Sequence, residues 1–223
     1  MDSIQSTMHL DDPTRLELEY TRAMMLFLLF NPAPQAILMI GLGGGSLPKF
    51  CHHHLPGADI SVVEINPAVI ALRDLFQVPP DSARFRVLED DGARHVRATG
   101  VRYDVILVDG FHAEGQPEAL GTQDFYDACR DTLQPEGVLV VNLDSNPAVS
   151  EPLIARLEHT FDGGVSTLLT DGGTNRIALA TAAPARLREA RRHARRRLAA
   201  LAPALRETLN QRAGASGGWP VLG

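Results

Sequence analysis

Short apolar runs separated by helical stretches dominate the chain up to about residue 180. Seven of these runs predict β-strands: Ala36–Ile40, Ile60–Ile65, Phe85–Leu88, Tyr103–Val108, Gly137–Leu143, Val165–Thr170 and Arg176–Ala180. Four predicted helices alternate with the first five strands: Leu47–His54, Pro67–Phe76, Ala93–Ala98 and Thr122–Leu133. Runs such as VILV and VLVV contain no polar position, which is typical of strands buried on both faces of a parallel sheet.

The last two predicted strands are joined by only four residues, DGGT at 171–174. Such a turn-forming segment makes the two strands antiparallel neighbours. Five βα units closed by an antiparallel hairpin predict a class I methyltransferase-type α/β fold. This Rossmann-like fold has a seven-stranded, mostly parallel sheet with helices on both faces, whereas a Rossmann dehydrogenase would lack the terminal hairpin.

Two further helical segments flank the predicted sheet. Pro13–Phe30 has apolar residues at helical spacing: Leu16, Tyr20, Met24 and Phe27. Pro184–Gln211 reads as a second helical stretch, interrupted at Pro203 and rich in arginine. We therefore expect a nucleoside-binding domain over residues 1–183, and an arginine-rich helical tail with a disordered end over residues 184–223.

Charge is divided unevenly between these two parts. The net charge is −6, but residues 184–223 hold nine arginines against two glutamates, so the tail carries +7 and the rest −13. An acidic body suits a small cationic substrate such as an amine. For the tail, three interpretations are open: a helix packing Leu187, Leu198 and Leu201 on the domain, a homodimer contact with a second acidic body, or contact with nucleic acid or anionic membrane. Without interleaved aromatic residues, nucleic acid is the least favoured.

Composition favours a cytoplasmic globular protein. Hydrophobic residues make up 44% of the chain and charged residues 22%, both ordinary values. The longest apolar stretch, Ala23–Phe30, is too short to cross a bilayer, and the acidic N-terminus does not resemble a signal peptide. Cys51 and Cys129 are predicted to be free thiols, as expected in a reducing compartment.

Candidate chemistry lies where the predicted strands end. The first strand is followed by glycines at 41, 43, 44 and 45, and the second ends on Glu64. Glycines allow a sharp turn and close approach to a ligand, and an acid at this position can accept hydrogen bonds from both ribose hydroxyls. After the third strand, Asp90 or Asp91 with Gly92 could bind adenine, although Asp91 could instead cap the next helix. Together with Asp109 after the fourth strand, this order predicts a nucleoside site.

The ordered motifs resemble those of the polyamine aminopropyltransferases, the spermidine synthase family. The resemblance rests on IQS (4–6), LELEYTRAMM (16–25), IGLGGGSLPKF (40–50), VVEINPAVI (62–70), DDGARHV (90–96) and YDVILVDGF (103–111). It implies that decarboxylated S-adenosylmethionine binds through Gln5, Gly41, Gly43, Gly45, Glu64, Asp90, Asp91 and Gly92. It also implies that Asp109 assists deprotonation of the attacking amine, beside Tyr20 of the amine pocket. The chain resembles a short, divergent member without the N-terminal β-domain.

Three departures from the family pattern bear on the substrate. Gly44 stands where the family has an aspartate, and His112 stands where it has a second aspartate after Asp109. Tyr20-Thr21-Arg22 replaces YHE or YQE. His112 could serve as an alternative base, since imidazole titrates near neutrality.

Three functions therefore stay open. The first is aminopropyl transfer to an amine, the second is methyl transfer from S-adenosylmethionine, and the third is a non-catalytic nucleoside-binding domain. No metal site is predicted, because the adjacent histidines 52–54 point in different directions on a helix.

Overall fold

The computed structural model describes residues 7–110, 115–170 and 172–210. Its strands are β1 (Ala36–Ile40), β2 (Asp59–Glu64), β3 (Phe85–Glu89), β4 (Tyr103–Val108), β5 (Leu133–Asp144), β6 (Val165–Leu169) and β7 (Asn175–Ala180). Its α-helices are α1 (Glu19–Met24), α2 (Ser46–His54), α3 (Pro67–Ala71), α4 (Gly92–Ala98), α5 (Gln123–Thr132), α6 (Pro147–Phe161), α7 (Pro184–Arg192), α8 (Ala194–Ala200) and α9 (Pro203–Asn210). Short 3₁₀ helices occur at Met25–Leu29 and Glu118–Gly121.

The seven strands form one sheet in the order β3-β2-β1-β4-β5-β7-β6. The first five strands are parallel, and β7 pairs antiparallel with both β5 and β6. This arrangement confirms the predicted fold class, including the terminal hairpin. Strand order reverses between β1 and β4, so their carboxyl ends border the crevice in which such sheets bind ligands.

Each face of the sheet carries its own apolar layer, because side chains alternate along a strand. On β1, Ile37 and Met39 point into the layer formed with α1, α2 and the C-terminal helices, while Leu38 and Ile40 point towards α4, α5 and α6. Both Cys51 and Cys129 are free and buried, one in each layer. No helix within the described residues is long and apolar enough to span a membrane.

The segment before β1 differs from the predicted long helix. Helix α1 begins only at Glu19, and the 3₁₀ helix Met25–Leu29 continues it with every side chain buried. An amphipathic helix would leave one side to solvent, but here the C-terminal helices cover that side. The predicted helix at Pro67–Phe76 is also shorter, ending at Ala71, and α6 was not predicted.

The C-terminal helices belong to the same apolar layer as the sheet. Leu187, Leu198 and Leu201 are buried there, which confirms the first interpretation of the tail. Two of its arginines also bond the end of the 3₁₀ helix: Arg186 donates to Phe30 O at 2.9 Å and Arg197 to Leu29 O at 2.8 Å. A domain boundary at residue 183 stays a prediction.

Candidate active site

The site is built where β1 and β4 end side by side. Gly41 follows β1 with a φ of +98°, and its amide donates to Val63 O at 2.8 Å. Asp109 follows β4, and its amide donates to Ile40 O at 2.9 Å. A Cβ on Gly41 would lie 2.3 Å from the carbonyl oxygen of Asp109. Glycine is therefore required for the two strand ends to approach each other.

The other glycines of the loop have different surroundings. Gly45, with a φ of +70°, precedes α2, and a Cβ there would lie 2.4 Å from the Val78 side chain. Gly43 has a φ of +51°, and a Cβ there would meet nothing within 4 Å. Of the three glycines predicted to bind the ligand, Gly43 thus faces open space, while Gly41 and Gly45 pack against protein.

Glu64 connects the end of β2 to the glycine loop. Its Oε2 accepts from the Leu42 amide and its Oε1 from the Asn66 amide, both at 2.8 Å. A carboxylate offers about four acceptor positions, so about two are left for the predicted ribose hydroxyls. Ile65, the next residue, is 54% exposed although it is large and apolar.

The two aspartates after β3 form hydrogen bonds with residues of α4. Asp90 Oδ1 accepts from Arg94 Nε at 2.8 Å, and its Oδ2 lies 3.3 Å from His95 Nδ1. The hydrogen bonds from Arg94 are the main reason why the pKa of Asp90 is lowered. Asp91 caps α4, with its Oδ1 accepting from the Arg94 amide at 2.8 Å. The capping alternative is therefore confirmed for one oxygen of Asp91, which leaves its Oδ2 for a ligand.

Gly92 begins α4 in contact with β1. A Cβ on this glycine would lie 2.4 Å from Ile40 Cγ2. Because a side chain here would displace Ile40, the glycine keeps the end of β3 and α4 close to the switch point.

Asp109 is held by two neutral donors. The Tyr20 hydroxyl donates to its Oδ2 at 3.2 Å, and Asn142 Nδ2 donates to its Oδ1 at 2.8 Å. Burial raises the pKa of Asp109, and these two hydrogen bonds oppose the rise. Burial, followed by the nearby Asp109 charge, raises the pKa of Tyr20, which keeps the phenol a donor. The sequence reasoning missed Asn142, a buried polar residue in the apolar run VLVVNL.

Two predicted site residues, Gln5 and His112, lie outside the described residues. Their roles stay predictions. In the described part of the chain no group of three or more His, Cys, Asp or Glu residues could hold a metal ion. The histidines at the end of α2 pack on aromatic rings: His52 lies 5.3 Å from the Phe85 ring and His54 lies 4.5 Å from the Phe50 ring.

Comparison with known proteins assigns the family. The spermine/spermidine synthase domain model matches residues 17–166. The chain belongs to the spermine/spermidine synthase family. Its similarity extends to the polyamine aminopropyltransferase of Chromobacterium violaceum, with 46% identity over 168 residues, and to that of Neisseria meningitidis serogroup A, with 41% identity over 181 residues. The resemblance stated from the motifs is confirmed.

Coverage of these relatives is partial. The matched part is 75% of this chain and 64% of the Chromobacterium protein, and 80% of this chain and 69% of the Neisseria protein. Among solved structures, human methyltransferase-like protein 13 in complex with SAH is similar, with a TM-score of 0.69 and 26% identity over 91% of this chain and 95% of that chain. The match to the family model thus includes Tyr20, Glu64 and Asp109, and it ends at residue 166, before β7.

Proposed function

We propose that this protein transfers an aminopropyl group from decarboxylated S-adenosylmethionine to a small amine. The Asp109 carboxylate carries the proposal, because it lies at the switch point, is partly buried, and receives hydrogen bonds from neutral groups alone among the described residues. A buried carboxylate is stabilised by a cation, and the protonated amine is such a cation. Membership of the spermine/spermidine synthase family supports the same reaction.

The residues divide the reaction between binding and proton transfer. Glu64 would hold the ribose, and Asp91 with Gly92 the adenine. Asp109 would bind the ammonium group, orient it and accept its proton, since a protonated amine is not a nucleophile. The amine nitrogen then forms a bond to the aminopropyl carbon that is attached to the sulfonium. The bond between that carbon and sulfur breaks, and its electron pair stays on sulfur to give methylthioadenosine. Because the sulfonium is already a good leaving group, positioning supplies much of the remaining rate.

Methyl transfer from S-adenosylmethionine is the second candidate. It is supported by the similarity to human methyltransferase-like protein 13, whose structure contains SAH. Gly44 also lacks the side chain that the family pattern places in the loop, which leaves room for the carboxylate of the undecarboxylated donor. Glu64 and Asp91 would bind the adenosine of either donor and do not separate the two.

A calorimetric comparison of methylthioadenosine with S-adenosylhomocysteine tests the choice. The two ligands share an adenosine thioether, and only the second carries the amino-acid end. Tighter methylthioadenosine binding, followed by an aminopropyl mass gain on an amine, is the expected result. Tighter S-adenosylhomocysteine binding with methylated product contradicts it. Asp109→Asn is the matched control, expected to bind the nucleoside normally and to lose turnover.

A further inference from the structure

A series of side-chain hydrogen bonds runs from the β6–β7 hairpin to Asp109. Thr174 Oγ1 donates to Asn175 Oδ1 at 3.0 Å, and Asn175 Nδ2 donates to Asn142 Oδ1 at 3.0 Å. Asn142 Nδ2 then donates to Asp109 Oδ1 at 2.8 Å. The backbone amide of Asn175 donates to Thr170 Oγ1 at 3.1 Å, which holds this residue in place. Every donor in this series points towards the carboxylate.

An asparagine side chain can be turned either way, presenting its NH₂ or its oxygen to a neighbour. Asn142 is 3% exposed, so water does not compensate for a wrong orientation. With its oxygen towards Asp109, two acceptors would face each other and the Asn175 donor would face an NH₂. The hydrogen bond from Asn175 therefore makes one orientation of Asn142 much the more favourable.

We infer that Asn175 is a positioning residue, which acts on the reaction by fixing Asn142 as a hydrogen-bond donor to Asp109. The inference rests on the proposed function for its catalytic meaning. It assigns a role to the terminal hairpin, and Asn175 lies beyond residues 17–166, the range matched by the family model. The hairpin thus contributes to the site although its strands lie at the far side of β5 from β4.

With Asn142 fixed as a donor, we expect Asp109 to stay ionised down to a lower pH than it would without this hydrogen bond. Hydrogen bonds to a carboxylate lower its pKa and so oppose the effect of burial. The titratable and charged groups on these neighbouring elements are Glu19, Tyr20 and Arg22 on α1, Glu136 and Asp144 on β5, and Arg176 on β7. Tyr20 donates to Asp109, whereas Glu19 accepts from the Gly172 amide at 3.3 Å and Asp144 from the Asn146 amide at 2.6 Å. On β7, Arg176 pairs with Glu151, and the group that joins the series to Asp109 is the neutral side-chain amide of Asn175.

The test uses Asn175→Leu, which keeps the side-chain size and removes the donor, together with Asn175→Ala. Arg176→Gln is the control, because it removes the hairpin's neighbouring contact with Glu151 at 2.5 Å. Carboxyl NMR titration follows Asp109, with Asp109→Asn assigning the signal. Release of Asn142 from Asp109 in these variants removes one hydrogen bond to a charged group, and it should raise the Asp109 midpoint by about one pH unit. The acidic limb of the pH profile of kcat/KM should shift upwards together with the Asp109 midpoint. In Arg176→Gln both should stay at their wild-type positions.

Two results separate the inference from the proposed function. An Asp109 midpoint that is unchanged in both folded Asn175 variants, or equally changed in Arg176→Gln, overturns the positioning role. If the Asp109 midpoint shifts in the Asn175 variants but the wild-type protein transfers no aminopropyl group, the positioning role is supported and the proposed function is overturned. Methylthioadenosine affinity should be the same in all three hairpin variants, because the series ends at Asp109 and does not reach Glu64.

Discussion

Substitution of two glycines in the same loop should separate stability from ligand binding. In Gly41→Ala the new Cβ would lie 2.3 Å from a backbone oxygen and 2.8 Å from a backbone carbon of Asp109. In Gly43→Ala it would meet no protein atom within 4 Å. Both positions have positive φ, +98° and +51°, so both variants incur backbone strain and only one adds a collision.

The difference in stability follows from these contacts. A non-glycine residue in the left-handed region costs about 1–2 kcal/mol, and this applies to both variants. Overpacking adds about 1–3 kcal/mol, and only Gly41→Ala incurs this cost, because backbone atoms of Asp109 cannot move aside as a flexible side chain could. With roughly 2–4 °C per kcal/mol for a chain of this size, Gly41→Ala should unfold roughly 2–12 °C below Gly43→Ala.

Gly43→Ala should weaken ligand binding more than it lowers stability. The open space beside Gly43 is the predicted place of the nucleoside, so a methyl group there should weaken methylthioadenosine binding about tenfold or more while the protein stays folded. Thermal unfolding followed by circular dichroism and calorimetric titration measure the two effects. Equal unfolding midpoints in both variants would refute the steric argument. Wild-type affinity in Gly43→Ala would show that the ligand does not approach this side of the loop.

Three other substitutions test the surroundings of the site. Tyr20→Phe removes a donor to a charged group and should lower kcat/KM about tenfold with the unfolding midpoint nearly unchanged; an unaffected rate would exclude the phenol. Asp109→Asn should unfold at a higher temperature than wild type at alkaline pH, because the raised pKa means that ionising the buried carboxyl costs stability, and the advantage should vanish as pH falls through the pKa and the carboxyl protonates. Leu198→Asp should unfold well below its exposed control Arg196→Asp, since Leu198 is 7% exposed; equal midpoints would mean that the tail is peripheral.

The sheet was predictable because its signals are local. A strand buried on both faces needs a short, nearly continuous apolar run, and β1, β4 and β5 each contain one. Helix α6 was missed although Asn146 caps it by accepting from the Ala148 amide at 3.0 Å. Pro152 lies inside this helix, and a proline interrupts the usual helical signal by removing a backbone donor.

Long-range packing explains the error before β1. The predicted Pro13–Phe30 helix was given one apolar face, but Met25–Leu29 are buried on all sides. The covering residues, among them Leu198 and Leu205, come more than 150 positions later in the chain. A local periodicity contains no information about such a cover, so neither the end of α1 nor the 3₁₀ geometry could be inferred.

The sequence predicts which candidate residues share one edge of the sheet, but it does not predict their contacts. Parallel strands place their carboxyl ends on one edge, which was enough to bring Glu64, Asp91 and Asp109 together. Asn142 and Asn175 could not be found in the same way. Their contact depends on β5 pairing with β7 rather than with β6, and the pairing partner of a strand in a sheet is a global property of the fold.

The charges around the four candidate site acids differ in a way that bears on which of them would bind the proposed amine substrate. Asp90 has a cationic partner in Arg94, Glu64 accepts from two backbone amides, and Asp91 lies at the positive end of α4. The donors to Asp109, in contrast, are an uncharged phenol and an uncharged amide. Burial without a positive partner leaves a carboxylate ready to bind a cation or to take up a proton. A protonated amine can supply both, and the same carboxylate would therefore select the acceptor and activate it.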